Sequence, residues 1–123
     1  PKRFSHILSC ADSPDNLPEE VNHLRVNIEP NPMGETKADF QAAVEFIGLG
    51  LAEGGDIAVH CEMGTSRSPA VVAAYLIYAQ NIELIHAVKH VYESRHGVQI
   101  NPWILNDLKR WAQERLSSRE TLR

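Results

Sequence analysis

Cys61 and Arg67 are separated by five residues, among which are a glycine and two hydroxyl side chains. The segment follows a short apolar run at 56–60 and precedes an apolar stretch that begins at 69, so it is predicted to be a loop between a strand and a helix. Backbone N–H groups of such a loop, together with the positive end of the helix dipole, form a cradle for anions. Gly64 allows the backbone to curl tightly around a ligand. The pattern predicts a site for a dianion such as phosphate.

Cys61 stands at the entrance of this predicted cradle, and Arg67 at its far end. The positive field of the helix start favours the thiolate form of the cysteine, which is the nucleophilic form. The planar guanidinium of Arg67 can bind two phosphate oxygens at once. A lone cysteine after a buried strand is more commonly a structural thiol. The glycine, the arginine and the helix start together favour the nucleophile over the structural thiol.

Three segments have the alternating or apolar character of strands: residues 4–9, 21–28 and 56–60. The last is the most apolar, and it is expected to be central and buried. Strands that alternate with helices indicate an α/β fold, with a small, central, mostly parallel sheet flanked by helices.

Four helices are predicted, over residues 36–53, 67–79, 82–95 and from Asn101 onward. Thr36 has the position of an N-cap, with Asp39 three residues later in the manner of a capping box. Asn101 and the following proline have the pattern of a cap and a first helical residue. The last helix has an apolar stripe at Leu105, Leu108, Trp111 and Leu116. The chain, 1–123, is expected to be one catalytic domain, with 117–123 as a frayed tail.

The composition excludes several classes of function. The chain of 123 residues has a formal net charge of −4, which argues against a nucleic-acid partner. It has no apolar run long enough for a bilayer, and no apolar leader at its start, so no membrane partner is expected. Its two cysteines form no disulfide framework and no zinc site, which favours a reducing compartment, the cytoplasm or the nucleus.

The loop resembles the signature of a known enzyme family. Cysteine-dependent phosphatases carry Cys-x5-Arg, and their dual-specificity subgroup carries the longer form His-Cys-x-x-Gly-x-Ser-Arg-Ser. Every fixed position of the longer form is matched here, by His60, Cys61, Gly64, Ser66, Arg67 and Ser68. The resemblance covers nearly the whole chain. Residues 4–9 are similar to the family's Thr-His-Ile-Leu-Asn strand, 24–32 to its Arg-Ile-Pro-Val stretch, and 99–102 to the entry of its last helix.

The resemblance implies roles for these residues. Cys61 would attack phosphorus and form a cysteinyl-phosphate, and Ser68 would donate a hydrogen bond to the sulfur as that intermediate breaks down. His60 would order the loop. The phosphate oxygens would be held by the Arg67 guanidinium and by loop amides, those of Glu62, Met63, Gly64, Thr65, Ser66 and Arg67. No metal or organic cofactor is implied, and the absence of a basic residue among the variable loop positions favours a phosphoprotein substrate.

The chain departs from the family at the general acid, which is an aspartate about thirty residues before the cysteine. Pro30 occupies that position, and its side chain cannot transfer a proton. General acid catalysis contributes roughly 10²–10⁴-fold, so low activity on alkyl phosphates is expected. Glu29 and Glu35 are candidate replacement acids, although both are more simply solvated loop carboxylates. Two alternatives stay open: a catalytically weak or inactive pseudophosphatase that binds phosphoproteins, and, with less support, a sulfurtransferase.

Two further patterns have simpler explanations. His86 and His90 have the i, i+4 spacing of zinc ligands, but no third ligand is evident, so both are expected to be ordinary helix residues. Cys10 is available as a redox partner for Cys61, but it ends a strand far away in the sequence, and a structural thiol is the favoured interpretation.

Overall fold

Three strands, β1 (His6–Ser9), β2 (Asn22–Arg25) and β3 (Ile57–His60), pair in parallel in the order β2–β1–β3. The computed structural model describes residues 4–10, 19–30, 39–61 and 67–121, with side chains to residue 116. Ser9 pairs with Arg25 on one side and with His60 on the other, so the three strands end level with each other. The predicted α/β architecture with a small parallel sheet is confirmed.

The central strand of the described sheet is β1, and the prediction that 56–60 is central was wrong. β3 lies at the edge of the described sheet, and its first three residues are half-buried. The apolar content of β3 suggested a central position, but β1 occupies that position. The polar side chains of β1 can be buried there because they have hydrogen-bond partners. His6 Nδ1 lies 2.7 Å from Ser5 Oγ, and the Oγ of Ser9 lies 2.9 Å from Nε2 of His23. Hydrogen-bonded polar groups can occupy a central strand at little cost.

Helix α1 (Phe40–Ala52) begins later than predicted. Its N-cap is Asp39 and not Thr36, which lies outside the described residues. The Asp39 carboxylate does not cap its own helix. It accepts a hydrogen bond from the N–H of Asn27 at 3.2 Å, and the N–H of Asp39 donates to the Asn27 carbonyl at 3.0 Å. Asp39 therefore fastens the start of α1 to the segment that follows β2.

Helix α2 (Arg67–Gln80) is the central helix of the fold, and its predicted start at Arg67 is confirmed. It packs against α1, against β3, and against α3 (Leu84–Ser94) and α4 (Pro102–Thr121). Ala70, Ala73 and Ala74 are fully buried, and such small side chains let the neighbouring elements approach closely. The largest fully buried core side chains are Phe40, Leu8, Ile28, Ile104, Leu108, Val44 and Val71.

The cap of α4 is as predicted, and so is its apolar stripe at three of four positions, because Leu105 and Trp111 pack against the core beside Leu108. The N–H of Trp103 donates to Oδ1 of Asn101 at 2.8 Å. Leu108 is fully buried, whereas Leu116 is 58% exposed and does not extend the apolar stripe. Ile104, which the sequence analysis missed, is buried instead. The backbone of α4 is helical to Thr121. The expected fraying of residues 117–123 stays a prediction. Of the helices in the described ranges, none has the length and apolar content of a membrane span.

Candidate active site

Cys61 and Ser68 meet where β3 ends and α2 begins. Cys61 directly follows β3, and Ser68 is the second residue of α2. Their side-chain atoms Sγ and Oγ lie 3.2 Å apart, and the backbone N–H of Ser68 donates to the same sulfur at 3.3 Å. Both residues are buried, at 7% and 6% exposure. The structure therefore holds the sulfur of Cys61 at the first turn of a buried helix.

This position has a chemical consequence for the sulfur. The N–H groups of a helix's first turn have no partner within the helix, and the helix dipole adds positive potential there. The N–H of Ser68 is one of these groups, and it is directed at Cys61. A negatively charged sulfur is stabilised by such a donor and by such a potential. The arrangement suits a thiolate nucleophile.

Arg67 is the first residue of α2 and is half-buried. The positive charge of Arg67 lowers the pKa of Cys10, although burial and the charge of Cys61 raise it more strongly. The charge of Arg67 therefore reaches the interior beside Cys61. The other predicted cradle residues, Glu62, Met63, Gly64, Thr65 and Ser66, lie outside the described residues. Their roles, and that of Arg67 in binding phosphate, stay predictions.

His60 is the last residue of β3, and its side chain is exposed. Its backbone carbonyl accepts a hydrogen bond from the N–H of Cys10 at 2.7 Å. Within the described parts of the chain, no hydrogen bond of its imidazole is found. The predicted role of His60 in ordering the loop therefore stays a prediction.

Cys10 lies next to the site, a position that the sequence analysis did not predict. It follows β1 just as Cys61 follows β3, and it is 1% exposed. Burial raises the pKa of the Cys10 thiol to about 12, the negative charge of Cys61 adds to the increase, and Arg67 opposes it. A signal was present in the sequence, because two predicted parallel strands end in Leu-Ser-Cys and Val-His-Cys.

The candidate acids lie in the segment after β2. Ile28 is fully buried, while the next two residues, Glu29 and Pro30, are exposed. Glu35 lies outside the described residues. Asp39 is a further carboxylate tied to this segment, through its hydrogen bond from the backbone of Asn27. Over the described ranges, no three His, Cys, Asp or Glu side chains come together as metal ligands would.

Comparison with known proteins identifies a matching family and several relatives of the chain. The family model "Dual specificity phosphatase, catalytic domain" matches residues 1–114. The mouse dual specificity protein phosphatase 15 is 28% identical over 120 residues, which are 96% of this chain and 51% of that protein. The bovine dual specificity protein phosphatase 26 is 37% identical over 112 residues, 85% of this chain and 53% of that protein. The chain thus spans about half the length of these curated relatives.

The fold of the chain is also similar to that of a solved structure. The crystal structure of the human tyrosine phosphatase-like serine/threonine/tyrosine-interacting protein matches with a TM-score of 0.78 at 28% identity. The match covers 92% of this chain and 79% of that one. The sheet and helices described above therefore have a counterpart in an experimental structure.

Proposed function

The chain belongs to the dual specificity phosphatase family, and on that premise we propose that it hydrolyses phosphotyrosine, and more slowly phosphoserine and phosphothreonine, in phosphoproteins. The observation that carries the proposal is the sulfur of Cys61 hydrogen-bonded twice to Ser68 at the start of α2: the sulfur accepts from the Ser68 N–H, and its S–H donates to the Ser68 hydroxyl oxygen. A buried structural thiol has no need of a backbone donor at a helix N-terminus.

The first step forms a covalent intermediate. The Cys61 thiolate attacks phosphorus, a P–S bond forms, and the bond from phosphorus to the ester oxygen breaks. The three equatorial oxygens of the transferring group are held by the guanidinium of Arg67 and by the amides of residues 62–67. No cofactor or metal takes part in this scheme.

The second step returns the free enzyme. Water attacks phosphorus, the P–S bond breaks, and the electron pair returns to the sulfur of Cys61. The hydroxyl of Ser68, 3.2 Å from that sulfur, donates a hydrogen bond to the departing thiolate. Ser68 therefore acts mainly on the breakdown of the intermediate.

The substrate preference follows from the proton needed by the leaving group. A phenol leaves as a weakly basic phenolate, whereas an alkyl alcohol needs a proton as it departs. Pro30 cannot supply that proton, and Glu29 beside it is an exposed carboxylate without an observed role. Phosphotyrosine is therefore the better substrate.

A second candidate function is the capture of phosphoproteins without turnover. Pro30 at the position of the family's acid favours it, and one of the solved relatives is described as phosphatase-like. The intact pairing of Cys61 with Ser68 favours turnover, since a module that only binds has no use for an activated sulfur.

Hydrolysis of an aryl phosphate by the reduced protein tests the proposal. We expect turnover by the wild type and none by Cys61→Ser or Arg67→Ala, because the first variant removes the nucleophile and the second a charge that binds phosphate. Cys10→Ser is the matched control, since it makes the same chemical change at the neighbouring buried cysteine. Retained binding of a phosphotyrosine peptide by an inactive wild type would establish the second candidate instead.

A further inference from the structure

Strand β3 has one paired side and one free side in the described part of the chain. β1 pairs with it on one side, and no other described strand lies on the opposite side. The carbonyls of Asp56 and His60 both point to β1, because each accepts a hydrogen bond from a backbone N–H at one end of that strand. Backbone groups alternate in direction along a strand, so the N–H and C=O of Ile57 and Val59 point to the free side. An unpaired edge of this kind is a template for pairing with another chain.

The free edge is apolar and is flanked by apolar grooves. The strand reads Ile-Ala-Val-His and contains neither the proline nor the lysine that commonly protects an edge. Two grooves, with volumes of about 330 and 410 Å³, are both lined by Ile57, Val59 and Val72. Phe4 and Leu51 extend the first of them, and with Val72 they are 39–45% exposed. A second strand beside β3 would cover part of this apolar surface.

The sequence of β3 is complementary to itself when two copies of the strand run antiparallel. With Ala58 opposite Ala58 of the second copy, Ile57 lies opposite Val59, and Asp56 lies opposite His60. Ile57 and Val59 are the residues whose backbone groups point to the free side, so each such pair can exchange two hydrogen bonds. Their apolar side chains meet on one face of the joined sheet. The carboxylate of Asp56 meets the imidazole of His60 on the other face, and both side chains are exposed.

The charges beside the edge follow the same symmetry. Asp56 is exposed at the beginning of β3. Glu53 lies at the same end, because its carboxylate is 3.5 Å from the ring of His6, the first residue of β1. His90 and Arg95 are exposed and line the groove at the other end, beside the start of α2. An antiparallel pair therefore brings the acidic end of one copy to the basic end of the other, which favours a second copy over an unrelated peptide.

We propose that the free edge of β3 binds a second copy of this chain, in a two-fold symmetric dimer with Ala58 at the axis. The two sheets then form one continuous sheet, in the order β2–β1–β3–β3–β1–β2. Because the paired strands have only four residues each, the interface is small, and the expected dissociation constant is in the micromolar range. The dimer does not depend on the proposed phosphatase activity.

Ala58→Cys tests the register of the two strands. Residues that face each other in a non-hydrogen-bonded antiparallel pair have Cα atoms about 4.5 Å apart, within the roughly 4.4–6.8 Å that a disulfide spans. We expect oxidised glutathione to join two copies through residue 58, and peptide mass mapping separates this link from any at Cys10 or Cys61. Ile7→Cys is the matched control. Ile7 is half-buried like Ala58 and is its partner in β1, but it lies one strand further from the axis, so residue 7 should form no link between copies.

Sedimentation of the reduced wild type measures the association itself, and Val59→Pro is the variant expected to weaken it. The proline removes an N–H that points away from β1, a change that edge strands tolerate, so the fold should persist while the dimer dissociates at least tenfold more readily. If this variant does not fold, the disulfide at residue 58 still decides the proposal.

Three results would overturn the dimer. The first is a wild type that stays monomeric up to millimolar concentration. The second is Ile7→Cys joining two copies as readily as Ala58→Cys does, or a dimer that a folded Val59→Pro leaves intact, since either result would place the contact elsewhere. The third is slow hydrogen exchange at the amides of Ile57 and Val59 in the monomer, which would show that another part of the same chain covers the edge.

Discussion

Ser68 contacts the sulfur of Cys61 with two different groups, its backbone N–H at 3.3 Å and its side-chain oxygen at 3.2 Å. The two groups are separable by mutation. The N–H belongs to the first turn of α2 and stays in any non-proline variant, so in the proposed reaction it stabilises the sulfur in both steps. The hydroxyl alone is removed in Ser68→Ala. One residue thus allows the contribution of the helix to be measured apart from that of the side chain.

We expect Ser68→Ala to slow the breakdown of the cysteinyl-phosphate more than its formation. A hydrogen bond to a charged group contributes about 1.5–3 kcal/mol, which is roughly 10- to 100-fold in rate. kcat and KM should fall together, with a burst of phenol before the steady state and a nearly unchanged kcat/KM. Ser94→Ala is the control, because the Ser94 hydroxyl donates to the carbonyl of His90 at the exposed side of α3. A loss in kcat/KM as large as the loss in kcat, without a burst, would contradict this role for Ser68.

The sequence predicted the strand before Cys61 and the helix that begins at Arg67, because both depend on residues close together in the chain. Cys61 directly follows β3 and Arg67 and Ser68 begin α2, so the strand end and the helix start are encoded within about a dozen residues. The same locality explains the correct cap at Asn101, whose side chain bonds a backbone N–H two residues away.

Pairings between distant segments could not be predicted in the same way. The contact of Cys10 with the site depends on which strand lies beside β3, and two segments about fifty residues apart decide that. Asp39 shows the same limit, because its carboxylate bonds Asn27, 12 residues earlier in the sequence, and does not cap its own helix. A local capping pattern at Thr36 predicted the wrong start for α1, since the competing partner was not local.

Pro30→Asp should restore acid assistance on alkyl phosphates. If Pro30 occupies the position of the family's acid, as proposed, an aspartate there supplies the proton donor. The gain in kcat/KM on a phosphoserine peptide should then be at most roughly 10²–10⁴-fold. The gain on an aryl phosphate should be smaller, because a phenolate needs less protonation. Pro30→Asn is the matched control, since it relieves the same proline constraint and adds a side chain of the same shape without the acid. Equal gains in kcat/KM with aspartate and asparagine, or a large loss of kcat/KM in Glu29→Gln, would show that the wild type does not lack a general acid at residue 30.

Two glycines of α1 should respond to alanine in opposite directions. A Cβ at Gly50 would collide with the Ile57 side chain and lie 3.0 Å from the buried ring of His6, so Gly50→Ala is expected to cost about 1–3 kcal/mol. A Cβ at Gly48 would meet nothing closer than a ring carbon of Tyr78, at 3.7 Å. Gly48→Ala should therefore stabilise the protein by about 0.5–1 kcal/mol through helix propensity. Urea unfolding measures both, and midpoints that move in the same direction would contradict this packing of α1 on the sheet.

Asp107 should make the protein less stable as the pH rises. Burial raises the pKa of its carboxyl, and Arg110, whose guanidinium donates to Oδ1 at 2.7 Å, only partly opposes this. Its other oxygen, Oδ2, is buried without a partner in the described part of the chain. Because the folded state holds the proton more tightly than the unfolded state does, the group contributes stability below its ordinary pKa and loses it as the pH rises through the raised value.

Asp107→Asn removes this ionisation and keeps an oxygen that can accept from Arg110. The variant should therefore be more stable than the wild type at pH 7, with a difference that shrinks as the pH approaches 4. Arg110→Ala should have the opposite effect, because it leaves the buried carboxylate without its cation. Urea unfolding at several pH values between 4 and 7 measures both variants. A difference between Asp107→Asn and the wild type that does not change with pH would mean that Asp107 ionises in the folded protein as readily as in the unfolded chain.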